Sequence, residues 1–160
     1  MESGIKIKEF DKQQLESLYR MVQNVIGISY PEVYPPEAVR YFKEHHTKDD
    51  ILNDATTGYT LIAYYMGEIL GTGTLLDTNV RRVYINPLYQ YKGIGKLIVS
   101  ELEKKAVNNR MVKLDLSASL LSRQFWESCG YCVASEEFMP LENNQSLHYY
   151  TMVKTIIDNR

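Results

Sequence analysis

Gly93 and Gly95, one residue apart and flanked by Lys92 and Lys96, are the residues of this chain best placed by type and spacing to do chemistry. Glycine lets a backbone turn tightly and approach a ligand closely. Ile94, Leu97, Ile98, Leu102 and Ala106 follow at helical spacing, so a helix begins at this turn. Its first N–H groups lack partners inside the helix and carry the positive end of the dipole. The segment reads either as an ordinary tight turn into a helix or as a ready anion site, with two lysines adding charge beside it. Spacing narrows the anion. A Walker A loop needs a glycine five residues before its Gly-Lys pair and a Ser or Thr after it. Here Gln90 and Leu97 occupy those positions. A dinucleotide fingerprint needs a third glycine where Ile98 stands, and Gly71-Thr72-Gly73 fails the same test at Leu76.

Strands and helices must position this turn. Ile5 and Ile7 alternate with lysines as in a half-buried strand, and Asp11 with Gln14 forms a capping box. Residues 11–26 then carry an amphipathic helical pattern. Pro36 opens a second helix that runs to about His46, and a shorter helical piece covers Asp49 to Asp54. Tyr59–Met66 and Ile69–Leu76 form a hairpin around Gly67-Glu68, followed by a strand at Val80–Ile85. After the helix from Ile94 come a strand at Met111–Leu116 and a short helix at Ser119–Cys129. Strands at Tyr131–Met139 and Leu147–Lys154 close the chain. The expected fold is α/β (α+β), a mixed, mostly antiparallel twisted sheet of about seven strands flanked by about four helices.

Composition sets the outer limits. The chain has 160 residues, 44% of them apolar, which suits one domain with a real core. Eighteen Lys and Arg against 20 Asp and Glu leave a net charge of −2, so neither a nucleic acid nor an anionic membrane is an expected partner. The longest apolar run, Leu61–Met66, is too short to span a bilayer, and the N-terminus lacks a signal-peptide pattern. A cytoplasmic location is expected. Thirteen tyrosines are the compositional anomaly.

Gln90-Tyr91-Lys92-Gly93-Ile94-Gly95 resembles the Q/R-x-x-G-x-G/A acyl-CoA loop of the GNAT N-acetyltransferase superfamily. Val83-Tyr84-Ile85-Asn86-Pro87 is similar to the strand that precedes that loop in the family. KLDLSASLLSRQFWESCGY resembles the family's second block, a strand, a short helix with an aromatic pair, and Gly-aromatic. The motifs follow in order from Tyr59 to Lys154. The resemblance implies a single N-acetyltransferase domain over 1–160, with 1–58 on the acceptor side and 59–154 as the acyl-CoA core. It implies acetyl-CoA as acyl donor and no metal. The pyrophosphate would be held by the backbone of Tyr91, Lys92, Gly93, Ile94, Gly95 and Lys96, with Gln90 opening the loop. The pantetheine arm would lie along Val83, Tyr84 and Ile85, where this strand splays from the next. The Ile85 N–H would be the catalytic oxyanion donor. Ser119 falls where the family often has a cofactor-contacting Asn.

The implied reaction is direct transfer: a neutral amine attacks the thioester, a tetrahedral intermediate forms, and thiolate leaves. An amine of pKa about 10 is mostly protonated at pH 7, so a base or a water relay is needed. The sequence identifies none. Asp77 reads as a solvated turn carboxylate. His45 and His46 read as a polar helix end whose dipole favours charged imidazole. The chain also departs from the family at Trp126, which stands where the leaving thiolate's general-acid Tyr is usual, and an indole cannot donate a proton at neutral pH. That departure supports a second reading, a catalytically weak or inactive acyl-CoA sensor or interaction module. A third reading is an anion-binding structural domain that takes no CoA. The expected acceptor is a small-molecule or peptide primary amine, and a monomer or homodimer is expected.

Two features compete with these readings. Cys129-Gly130-Tyr131-Cys132 mimics a redox motif, but the helix precedes Cys129, so the thiol sits at the unfavourable dipole end. Two cysteines without a second pair also make no tetrahedral metal set. Tyr30, Tyr34, Tyr41, Tyr64, Tyr65, Tyr84, Tyr149 and Tyr150 read first as half-buried packing residues, and second as aromatic walls for a cationic amine.

Overall fold

Strand residues alternate between two faces, and the burial pattern of this sheet shows that both faces are covered. The computed structural model describes residues 4–156. Its strands are β1 (Lys6–Glu9), β2 (Tyr59–Tyr65), β3 (Glu68–Leu76), β4 (Asn79–Ile85), β5 (Lys113–Ser119), β6 (Cys132–Pro140) and β7 (Ser146–Thr155). Its helices are α1 (Leu15–Ser29), α2 (Pro36–Glu44), α3 (Lys48–Thr57), α4 (Ile94–Asn108) and α5 (Arg123–Ser128). The strands form one seven-stranded sheet in the order β1-β2-β3-β4-β5-β7-β6. Every neighbouring pair is antiparallel except β4 and β5. The mixed, mostly antiparallel α/β architecture expected from the sequence is the one observed.

In β2, Leu61 and Ala63 pack against α4 with Leu70, Ile98 and Leu102, while Ile62 joins Leu18, Val22, Ile26 and Ile51 under α1–α3. Apolar side chains on both faces explain the unbroken run of the β2 sequence. Gly71 and Gly73 on β3 bring α4 close. A Cβ on Gly71 would sit 2.6 Å from Ile85 Cδ1, and one on Gly73 2.7 Å from Ile98 Cγ2. The Gly-x-Gly of β3 is thus a packing device.

Local chemistry sets the boundaries. The Asp11–Gln14 capping box is present, on a 3-10 turn that leads into α1. Thr47 and Asp50 form a second box that starts α3 and carries it on to Thr57, past the Asp49–Asp54 piece read from sequence. The β2–β3 turn falls on Met66-Gly67, one residue earlier than Gly67-Glu68, with φ of 49° and 83°. Both central residues at positive φ are what a two-residue hairpin turn requires. Ser119 remains in β5, so α5 begins at Arg123.

Candidate active site

The parallel pair β4 and β5 makes one registered contact, Asn79 with Asp115, and then the strands part. At Arg82 the β4 backbone takes φ of 52°, and the register with β3 slips between Thr72 and Thr74. Arg82 and Val83 together oppose Gly73, which is a β-bulge. A bulge shifts which backbone groups face each neighbour. Past it, Asn86 N–H donates to Leu70 O at 2.8 Å, toward β3. Strand alternation therefore turns the N–H groups of Val83 and Ile85 away from β3 and into the opening beside β5. The Ile85 carbonyl faces the same way and accepts from Gln90 Nε2 at 3.2 Å.

The loop after β4 ends in the glycine turn. Tyr91 (φ 64°) and Gly93 (φ 85°) are left-handed, and Gly93 is the N-cap of α4. A Cβ on Gly93 would meet nothing within 4 Å, so that glycine serves φ. On Gly95 a Cβ would come 2.9 Å from the Phe125 ring, so that glycine serves space. Leu97 N–H bonds back to Gly93 O at 3.1 Å, and the N–H groups of Ile94, Gly95 and Lys96 precede it as helix-end donors. Lys92, Lys96 and Tyr91 are exposed beside them. The donor set is one that can hold an anion. Val83, Tyr84, Ile85, Gln90 and the 91–96 loop thus form one continuous tract. Ser119 lies across the opening at the end of β5, where its Oγ donates to Ser122 Oγ at 3.0 Å.

The side chain of Tyr84 points to the other face, under α1 and α2, and begins a polar chain that sequence reasoning missed. Tyr84 Oη lies 3.2 Å from His46 Nε2 and 3.2 Å from Tyr30 Oη. Arg82 Nε donates to His46 Nδ1 at 3.0 Å, and Arg82 Nη1 pairs with Asp54 at 3.0 Å. His46 is not the charged helix-end residue expected. Burial, followed by the nearby Arg82 guanidinium, lowers its pKa to about 3, so it is neutral at pH 7. Because Nδ1 accepts from Arg82, the single imidazole proton is on Nε2 and is donated to Tyr84. Burial raises the hydroxyl pKa of both Tyr30 and Tyr84.

Tyr30 and Tyr34 are buried on this face, beside the end of β5. The Ser119 side chain approaches Tyr30 Oη from the β5 side. Tyr34 Oη accepts from Leu120 N–H at 2.9 Å and donates to His148 O at 2.8 Å. Several other tyrosines behave as packing residues. Tyr41 stacks on His45, Lys8 lies over Tyr64, and Arg123 lies over Tyr150. The one sequence signal for the bulge was Arg81-Arg82, two adjacent charged residues that break the alternation of a half-buried strand.

Trp126 is buried edge-on between Phe125 and Tyr131. It is a core side chain, and Phe125 is the member of the pair beside Gly95. Cys129 caps the C-terminus of α5, and burial raises its thiol pKa, the opposite of an activated nucleophile. Among the described residues no group of three or more His, Cys, Asp or Glu is placed to hold a metal, and no helix is long and apolar enough to cross a membrane.

A sequence model described as an acetyltransferase (GNAT) domain matches residues 31–155. The fold is similar to a GCN5-related N-acetyltransferase from Rhodopseudomonas palustris, with a TM-score of 0.87 and 19% identity over 98% of both chains. It is also similar to the PaiA N-acetyltransferase of Thermoplasma acidophilum, solved in complex with coenzyme A. That match has a TM-score of 0.74 and 18% identity over 96% of this chain and 99% of that one. An uncharacterised Bacillus subtilis protein, YyaT, is 28% identical over 83 residues. The match covers 49% of this chain and 56% of YyaT, so the chain spans little more than half of that relative.

Proposed function

The chain belongs to the GNAT family of acetyltransferases, and on that premise we propose that it is an N-acetyltransferase moving an acetyl group from acetyl-CoA to a primary amine. The observation that carries this reading is the continuity of the β4/β5 opening with the donor-rich start of α4. The backbone N–H groups of residues 91–96, helped by Lys92 and Lys96, hold the pyrophosphate. Val83 and Ile85 offer backbone groups to the pantetheine arm as an added strand would, with Tyr84 between them and Ser119 opposite. Acetyl-CoA is the donor substrate that supplies the activated acyl group. Ile85 N–H stabilises the oxyanion as the amine attacks. Val83 N–H faces the same opening about 7 Å deeper, nearer the point where the strands diverge.

The acceptor is a small-molecule or peptide amine that enters from the α1–α2 side, so residues 1–58 shape its site and residues 59–154 hold the donor. An amine attacks as its neutral form. His46 cannot take its proton, because Nδ1 is held by Arg82, so the proton leaves through water. Thermal unfolding with and without acetyl-CoA tests the donor assignment. A concentration-dependent rise in Tm is expected, and no shift at millimolar acetyl-CoA would contradict it.

A further inference from the structure

Arg82 stands apart from the other left-handed side chains among the described residues. Met66, Asp77, Tyr91, Arg110, Asn143 and Asn144 also have positive φ, but they all lie in connections between elements. Arg82 lies inside β4, with ladder pairs on both sides of it, Arg81 with Thr74 and Tyr84 with Thr72. A turn can relax locally when its strained residue changes. A strand cannot, because straightening Arg82 would remove the bulge and slip the pairing beyond it by one residue. That slip would turn the Val83 and Ile85 N–H groups toward β3 and away from the opening.

The Arg82 side chain opposes this relaxation from two directions. Its Nε donates to His46 Nδ1 at 3.0 Å, and its Nη1 donates to Asp54 Oδ2 at 3.0 Å. The two acceptors lie on different segments, the α2–α3 connection and α3. His46 is held in turn. Its carbonyl accepts from Gln23 Nε2 on α1 at 3.0 Å, and Thr47 beside it is the N-cap of α3. A planar guanidinium bound at two nitrogens has one orientation, so the backbone it hangs from has little freedom to turn. Arg81 makes the contrast. Its Nε goes to Asn79 Oδ1 at 2.8 Å within β4 itself, and its side chain is 40% exposed against 5% for Arg82.

We propose that Arg82 is a positioning residue for acyl transfer: its anchors on His46 and Asp54 hold the left-handed backbone that aims the Val83 and Ile85 N–H groups at the acyl-CoA arm. This rests on the acyl-CoA reading above. The side chain points to the α2–α3 side and acts through its own backbone.

A substitution series at Arg82 in an Asp54→Asn background tests this. No member leaves the Asp54 charge unpaired, and all lack the same anchors. An ordinary strand position favours Val over Ala over Gly. A left-handed position reverses that order, since glycine enters it freely and a β-branched residue resists it most. Each folded variant is titrated calorimetrically with acetyl-CoA. Arg82→Gly should bind within about threefold of wild type, Arg82→Ala about tenfold more weakly than Arg82→Gly, and Arg82→Val more weakly still. A purely structural ion pair would lower the urea midpoint and leave these affinities level. His46→Leu keeps the Arg82–Asp54 pair and serves if the Ala and Val variants do not fold. With one anchor gone, it should weaken acetyl-CoA binding about threefold. Level affinities across the series, the order Val, Ala, Gly, or an unchanged affinity in His46→Leu would overturn the role of Arg82. No acetyl-CoA binding by the wild type would instead overturn the acyl-CoA reading.

Discussion

Arg82 and His46, thirty-six residues apart in sequence, meet at 3.0 Å through the Arg82 Nε–H and His46 Nδ1. Arg82 is the residue whose left-handed backbone makes the β4 bulge, and the bulge turns the Val83 and Ile85 N–H groups into the β4/β5 opening. Holding a non-glycine residue there costs roughly 1–2 kcal/mol. The Asp54 and His46 contacts offset that cost. The α2–α3 segment therefore braces the β4 backbone.

Arg81 and Arg82 both reach Asp54, at 3.4 Å and 3.0 Å, but their side chains are 40% and 5% exposed. Arg82→Met leaves a mostly buried carboxylate short of its main partner and should cost about 3–5 kcal/mol. Arg81→Met removes a solvent-screened contact and should cost under ~1 kcal/mol. Urea unfolding of the two variants checks this, and equal losses would refute the brace.

His46 gives stability a pH dependence with a fixed sign. Burial and the Arg82 guanidinium depress its pKa to about 3, against Asp50 and Asp54, which favour its charged form. The unfolded chain, with imidazole near 6.5, binds more protons than the folded one between these values. Stability is then full above pH ~6.5 and falls as pH drops toward 3, up to about tenfold in the folding constant per pH unit. Urea midpoints at pH 7 and pH 5 should converge for His46→Gln relative to wild type.

Gly93→Ala should weaken acetyl-CoA binding about five- to tenfold and lower Tm by about 2–4 °C. The left-handed φ of 85° resists a side chain even though space is open. Gly95→Ala should lower Tm as well, because its Cβ meets the Phe125 ring. Calorimetric titration beside thermal unfolding separates the two effects.

Ile85→Pro removes an N–H that faces the opening and takes no ladder bond with it. If that N–H stabilises the oxyanion, kcat should fall about 100-fold or more while the fold persists. Val83→Pro measured beside it locates the donor, since the larger kcat loss marks the residue nearest the acyl carbonyl.

Trp126→Tyr should keep turnover within a few-fold, because the indole packs on Phe125 and Tyr131 away from the reacting atoms. A loss of a hundredfold or more in a folded variant, measured with acetyl-CoA and a primary amine, would place the indole in the chemistry.

Sequence periodicity was enough for the elements and for the glycine turn that starts α4. The helix from Ile94, the β2–β3 hairpin and the Asp11 capping box are local patterns, each decided within a few residues. The Gln90–Gly95 loop was legible for the same reason. The chain Asp54–Arg82–His46–Tyr84–Tyr30 was not, since it joins α3, the α2–α3 connection, β4 and the end of α1 through contacts that topology alone creates. His45-His46 looks like a solvated helix end, and only packing of α2 and α3 over β4 separates an exposed His45 from a half-buried His46. The tyrosine excess resolves in part: Tyr30, Tyr34 and Tyr84 are buried together in one cluster, and others pack beside cations.

Thiol release from acetyl-CoA in the presence of a panel of primary amines tests the central claim most directly. The account predicts free CoA thiol whose rate rises with amine concentration and saturates for the preferred acceptor. Tight acetyl-CoA binding with no amine-dependent thiol release would contradict it and leave an acyl-CoA-binding module in place of an enzyme.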